Sequence, residues 1–94
     1  MAVTLSTRDY TTDGYELFNN ANENLIRGMP DEYTLKFYRA MSIMVKQETK
    51  IQLNESIITV RPEAGFSINP LIHSHIHTFK ILTPNALVYF HGSW

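Results

Sequence analysis

Cysteine is absent from this chain of 94 residues, which excludes disulfide scaffolds and thiolate metal sites. Charge is also scarce. Eight Lys and Arg stand against nine Asp and Glu, and the formal net charge is −1. No basic run occurs, so the electrostatic footprint of nucleic-acid binding is missing. No apolar stretch approaches the roughly 20 residues of a membrane span. The opening MAVTLSTRDYTTDG lacks the basic start and apolar block of a signal peptide. These absences lead to the expectation of a cytoplasmic or virion protein with neither nucleic acid nor membrane as partner.

Chemical motifs are missing too. There is no P-loop, no Gly-x-Gly-x-x-Gly, no Gly-x-Ser-x-Gly, no His-Glu-x-x-His and no EF-hand loop. Ser74 lies between two histidines in sequence, but strand alternation sends it to the opposite face. Asp31 and Glu32 suit a helix start better than an acid–base pair. With no catalytic constellation apparent, the sequence leans away from an enzyme.

What is present is an ordinary apolar content of 44%, of which aromatics supply 12% of the chain. The length suits a single domain over residues 1–94, with one core and no room for a large cavity. Residues 1–12 read as an extended arm in which Val3 and Leu5 alternate with polar neighbours. Residues 13–48 read as a helical hairpin. Asp13 and Glu16 form a capping-box pair, and Leu17, Phe18, Ala21, Leu25 and Ile26 line one helical face before Gly28. Phe37, Tyr38, Met41, Met44 and Val45 follow the spacing of a second apolar helix face.

The period then changes to two. Lys50–Leu53 and Ser56–Arg61 pair across Asn54-Glu55, with Ile51, Leu53, Ile58 and Val60 sharing a face. Residues 62–65 are a turn, and Phe66–Asn69 a short strand. Leu71–Leu82 and Ala86–His91 read as a long C-terminal hairpin about Pro84-Asn85, its core face formed by Phe79, Ile81, Val88 and Phe90. The fold class expected is therefore α+β. Two N-terminal helices pack on an antiparallel meander of four to five strands, 49–94, that ends in this hairpin.

The C-terminal quarter also holds all four histidines. His73, His75 and His77 continue the face of Phe79 and Ile81, and His91 joins them only if the turn has three loop residues. Alternate strand residues lie roughly 6.6 Å apart, so two imidazoles can converge on one ion. Three span about 13 Å, too far for one ion without a bend. A mononuclear zinc, iron or nickel site would need two of them and a further ligand, such as Glu55 or Glu63. Without a metal the stripe could serve as a pH-sensitive contact, because the unperturbed pKa of histidine lies near 6.5.

The leading expectation is a non-enzymatic assembly protein that binds no cofactor and acts through protein–protein contact. Its partners would be copies of itself or a larger assembly, such as a virion in which it decorates a capsid or joins a tail. Val3, Leu5, Phe66, Tyr89 and Trp94 are its expected interface residues. The alternative is a small metal-dependent enzyme or metal-binding module using His73, His75 and His77, with His91 as a further ligand.

Overall fold

Buried and exposed side chains alternate along the strands that run between Ala40 and Ser93, and this period-two pattern sets the architecture. The structure is a computed structural model and describes residues 8–29, 31–68 and 75–94. Among the described residues there are eight strands and no helix. They are β1 (Asp9–Thr11), β2 (Glu16–Phe18), β3 (Ala40–Val45), β4 (Thr49–Leu53), β5 (Ser56–Val60), β6 (Phe66–Ile68), β7 (Phe79–Ile81) and β8 (Ala86–Ser93).

Two antiparallel sheets result. In the first, β8 pairs with β3, and β6 lies on the far side of β3. β1 and β2 lie in tandem along the other side of β8, opposite its C-terminal and N-terminal halves. Thr12 bridges the gap between them. Its N–H donates to the Phe90 carbonyl at 3.0 Å, and its buried hydroxyl accepts the Phe90 N–H at 3.1 Å. The second sheet has the order β5-β4-β7. One core joins the inner faces. Phe90 of β8 is fully buried and meets Phe79 of β7 edge-on, ring centroids 4.9 Å apart.

The expected α+β class is thus overturned, because both helices of the 13–48 hairpin are absent. In the first half the asparagines decide the outcome. Asn, like Asp and Ser, competes for backbone hydrogen bonds and weakens a helix interior. Here Asn20 Oδ1 accepts the Asn22 N–H, Asn19 Oδ1 accepts the Asn85 N–H, and Asn24 Oδ1 accepts the Phe79 N–H. In the second half two periods compete over the same letters. Met41, Ile43 and Val45 alternate with Ser42 and Met44, and the three are buried in β3. β-Branched Ile43 and Val45 suit a pleated surface better than a helix turn.

The C-terminal hairpin is overturned as well. The chain turns at Thr83–Asn85, with Asn85 in the left-handed region at φ 54°, but β7 pairs with β4 while β8 pairs with β3. Phe79, Ile81, Val88 and Phe90 are buried, as a core face should be, yet they face one another between sheets. By contrast the β4–β5 hairpin has the expected register. Leu53 faces Ser56, Ile51 faces Ile58, and Asn54 begins the loop at φ 54°.

Tyr38 fixes the end of the core nearest Trp94. It is fully buried, its hydroxyl accepts the Arg27 N–H at 2.9 Å, and it donates to the Arg27 carbonyl at 2.8 Å. Gly92 of β8 passes directly beneath the ring, where any Cβ would overlap it. No helix among the described residues is long and apolar enough to cross a membrane.

Candidate interaction surface

Directly opposed residues of an antiparallel pair share a face, so the registers define the outer surface of the first sheet. At one end Asp9, Thr11, Ser42, His91 and Ser93 make it polar. At the other end Leu17 faces Leu87 and Met44 faces Tyr89. These four side chains point to solvent, Leu17 at 59% and Met44 at 51% exposure. Tyr15 meets Tyr89 edge-on at 5.8 Å, and the Lys46 ammonium lies 4.5 Å above the Tyr15 ring. The aromatic margin is therefore braced by contacts within the chain. Beyond Met44, the turn Pro62–Gly65 and strand β6 border a shallow depression of about 320 Å³.

The histidines lie elsewhere. Ile76 is buried and bridges Tyr38 across the sheets, so His75 and His77 face solvent and not the core side shared by Phe79 and Ile81. Asn54 holds this segment. Its Oδ1 accepts the N–H groups of His77 and Thr78, at 2.9 and 3.2 Å, and its Nδ2 donates to the His75 carbonyl. His75 stacks on Phe37, centroids 4.1 Å apart, and His77 Nδ1 lies 3.1 Å from the Thr78 hydroxyl. His91 belongs to the first sheet, with Nε2 3.8 Å from Asp9 Oδ1. His73 lies outside the described residues. Among the described residues no group of three His, Asp or Glu is arranged to hold a metal ion.

The expected interface residues separate. Tyr89 stands in the apolar end just described. Phe66 faces inward from β6 at the open margin between the sheets. Trp94 is 8% exposed and stacks on Tyr38 at 6.3 Å, and its indole N–H has no partner among the described residues. Val3 and Leu5 lie outside the described residues.

The sequence places Leu17 and Met44 on apolar helix faces and gives Leu87 no role, so this row was not expected. The signal for Leu87 was there: Ala86–Phe90 is apolar at every position, the pattern of a strand covered on both faces. A second cluster was not expected either. Arg27 is within 3.1 Å of Glu16, 3.5 Å of Glu23 and 3.3 Å of the Tyr10 hydroxyl, and lies over the Phe18 ring. Burial works to lower the Arg27 pKa, but the hydrogen bonds to Tyr10 and Glu16 outweigh it and leave it raised. This cluster closes the rim of the core, where a permanent cation with two carboxylates is a structural tie.

Among the described residues the fold is all-β, two packed antiparallel sheets with an apolar outer end. The chain shows no significant match to any protein-family model, curated protein or solved structure.

Proposed function

We propose that this is a non-enzymatic assembly protein whose docking surface is the apolar end of the first sheet's outer face and whose partner is a second copy of the chain. The observation that carries the reading is the solvent-facing row Leu17, Leu87, Tyr89 and Met44. Clustered apolar side chains on a sheet face mark contact sites more often than isolated ones do.

The same face offers both halves of a fit. Leu17 projects at the β2 margin, and the depression beside Met44 opens at the β6 margin. A two-fold axis between β8 and β3 would seat each Leu17 at the other copy's depression, with Leu87 and Tyr89 between. In such an isologous contact one patch serves both subunits. A cytoplasmic or virion setting belongs to the same reading.

The test is the mass of the untagged protein by light scattering across a concentration series. The wild type is expected to be oligomeric, and Leu17→Ser with Leu87→Ser to lower its mass while leaving the fold intact. A wild type that stays monomeric, or an oligomer indifferent to both substitutions, overturns the proposal.

A further inference from the structure

The outer edge of β5 is a second surface. On the β7 side of β4, the Lys50 carbonyl accepts the Leu82 N–H and the Lys50 N–H donates to the Thr83 hydroxyl. Asn54 N–H likewise donates to the Thr78 carbonyl. Backbone groups alternate sides along a strand, so those of Thr49, Ile51 and Leu53 point to β5. Their partners Val60, Ile58 and Ser56 point back. The N–H and C=O groups of Ile57 and Thr59 therefore point away from the sheet. No strand pairs with them among the described residues.

The edge is well suited to pairing. Ile57, Ile58, Thr59 and Val60 are four β-branched residues in succession, without charge or proline. Ile57 is 65% exposed. Glu55, in the turn, precedes the run, and Arg61 follows it. Arg61 is only loosely engaged, at 4.0 Å from Glu48 with both side chains largely in solvent.

We infer that β5 pairs with the β5 of a second copy, antiparallel and centred on Ile58. In that register Ile57 and Thr59 each exchange both hydrogen bonds with the other copy's Thr59 and Ile57, four bonds in all. This register brings the turn residue Glu55 beside Arg61 at each end of the ladder, and the two Ile57 side chains lie diagonally against each other. Moving the axis one residue breaks the match. Centred on Ile57, Glu55 faces Thr59 and Arg61 faces apolar Leu53. Centred on Thr59, Glu55 faces Glu63, a like-charge pair. Charge complementarity thus selects both the partner and the register. Two three-stranded sheets become one of six.

This contact is separate from the outer-face contact, and the experiment separates them. The chain has no cysteine, so a single introduced one reports alone. At the axis the two Ile58 Cα atoms would lie about 4.5 Å apart, within disulfide range. The two Ile57 Cα atoms would lie about 8 Å apart, outside it. Under mild oxidation of the full chain, Ile58→Cys is expected to give a covalent dimer and Ile57→Cys to remain largely uncoupled. Adding Leu17→Ser and Leu87→Ser should leave the Ile58→Cys dimer intact. Equal coupling at both positions, no coupling at Ile58→Cys in a folded protein, or a wild type that sediments as a monomer overturns the inference. The last result leaves the edge to another chain's strand. If Ile58→Cys does not fold, charge carries the test. Arg61→Glu should weaken dimerisation by about tenfold or more, and Glu55→Arg together with Arg61→Glu should restore it. Failure of that restoration also overturns the register.

Discussion

The two edges of the three-stranded sheet are treated in opposite ways. On β7, Phe79 presents its N–H and C=O outward, as Ile57 and Thr59 do on β5. The Phe79 N–H is taken by Asn24 Oδ1 at 3.0 Å and its carbonyl by the Leu25 N–H at 2.7 Å. Asn24 Nδ2 also donates to the His77 carbonyl at 2.9 Å. Loop 19–27 thus serves β7 as an edge cover without being a strand itself. Nothing equivalent lies along β5 among the described residues. An uncovered edge is a template for another chain, and proteins usually blunt such edges with charge, proline or a covering segment. β5 has none of these within its span, and its charges stand only at the two ends, where they complement an antiparallel copy. One edge is closed by a loop of the same chain, and the other is left open among the described residues.

The change expected to have the largest effect removes the comparison altogether. Phe90 touches Tyr10, Phe18 and Phe79, with centroids 5.6, 6.1 and 4.9 Å away, and so ties both sheets together. Phe90→Ala should cost about 3–5 kcal/mol. Urea denaturation would show it as a collapse of the midpoint, with both edges lost in one cooperative step. Asn24→Ala comes next. It strips the cover from β7 and leaves the Phe79 N–H and the His77 carbonyl without their partner. A loss of about 1–3 kcal/mol is expected. Amide exchange at Phe79 should quicken selectively, while exchange in β5 stays as it was. If Phe79 remains protected, the amide of Asn24 is not what covers that edge.

These same asparagines explain how much was legible in the sequence. The β4–β5 hairpin could be read down to its register because one signal was at work: alternation on both sides of a two-residue loop at Asn54. The burial of Phe79, Ile81, Val88 and Phe90 was legible for the same reason. Which strands pair was not, because a turn such as Thr83–Asn85 joins neighbours in one sheet or crosses between two with the same residues. The helical reading of 13–48 failed where letters serve two periods. Met41 and Val45 fit spacings of both four and two, and only the β-branches of Ile43 and Val45 favoured the strand. The amides of Asn19, Asn20 and Asn24 act as substitutes for backbone, which the helical spacing of Phe18, Ala21 and Leu25 does not encode. Of the outer apolar row only Tyr89 stood out in the sequence, since the joint exposure of Leu17 and Met44 follows from pairings that no local pattern encodes.

A third expectation concerns the far end of the covering loop. The Tyr38 hydroxyl grips both backbone groups of Arg27, three residues beyond Asn24. Burial pushes the Tyr38 pKa up to about 12, from an ordinary value of 10.0. The folded state thus holds this proton more tightly than the unfolded state. The associated stability is fully present below pH 10 and is lost as pH rises toward 12, by up to about 1.4 kcal/mol per pH unit. Tyr38→Phe should cost about 1–2 kcal/mol at neutral pH for the two lost hydrogen bonds. It should also flatten the alkaline slope relative to wild type. Parallel slopes in thermal melts across that window would remove Tyr38 as the cause.

The smallest effect is the sharpest test of the β5 edge. Proline removes a backbone N–H, so it is tolerated on an edge strand only where that N–H points away from the sheet. Thr59 is such a position, and Thr59→Pro should change monomer stability by no more than about 1 kcal/mol. One residue earlier, the Ile58 N–H points into β4. Ile58→Pro should cost at least about 2 kcal/mol more than its neighbour, through a lost ladder bond and an unsatisfied carbonyl on Ile51. The two variants differ by one position and opposite parity. Equal destabilisation in denaturant titrations would mean that the outward orientation of Thr59 is wrong, and with it the register centred on Ile58. A tolerated Thr59→Pro that also abolishes edge pairing would tie the free backbone groups to the contact.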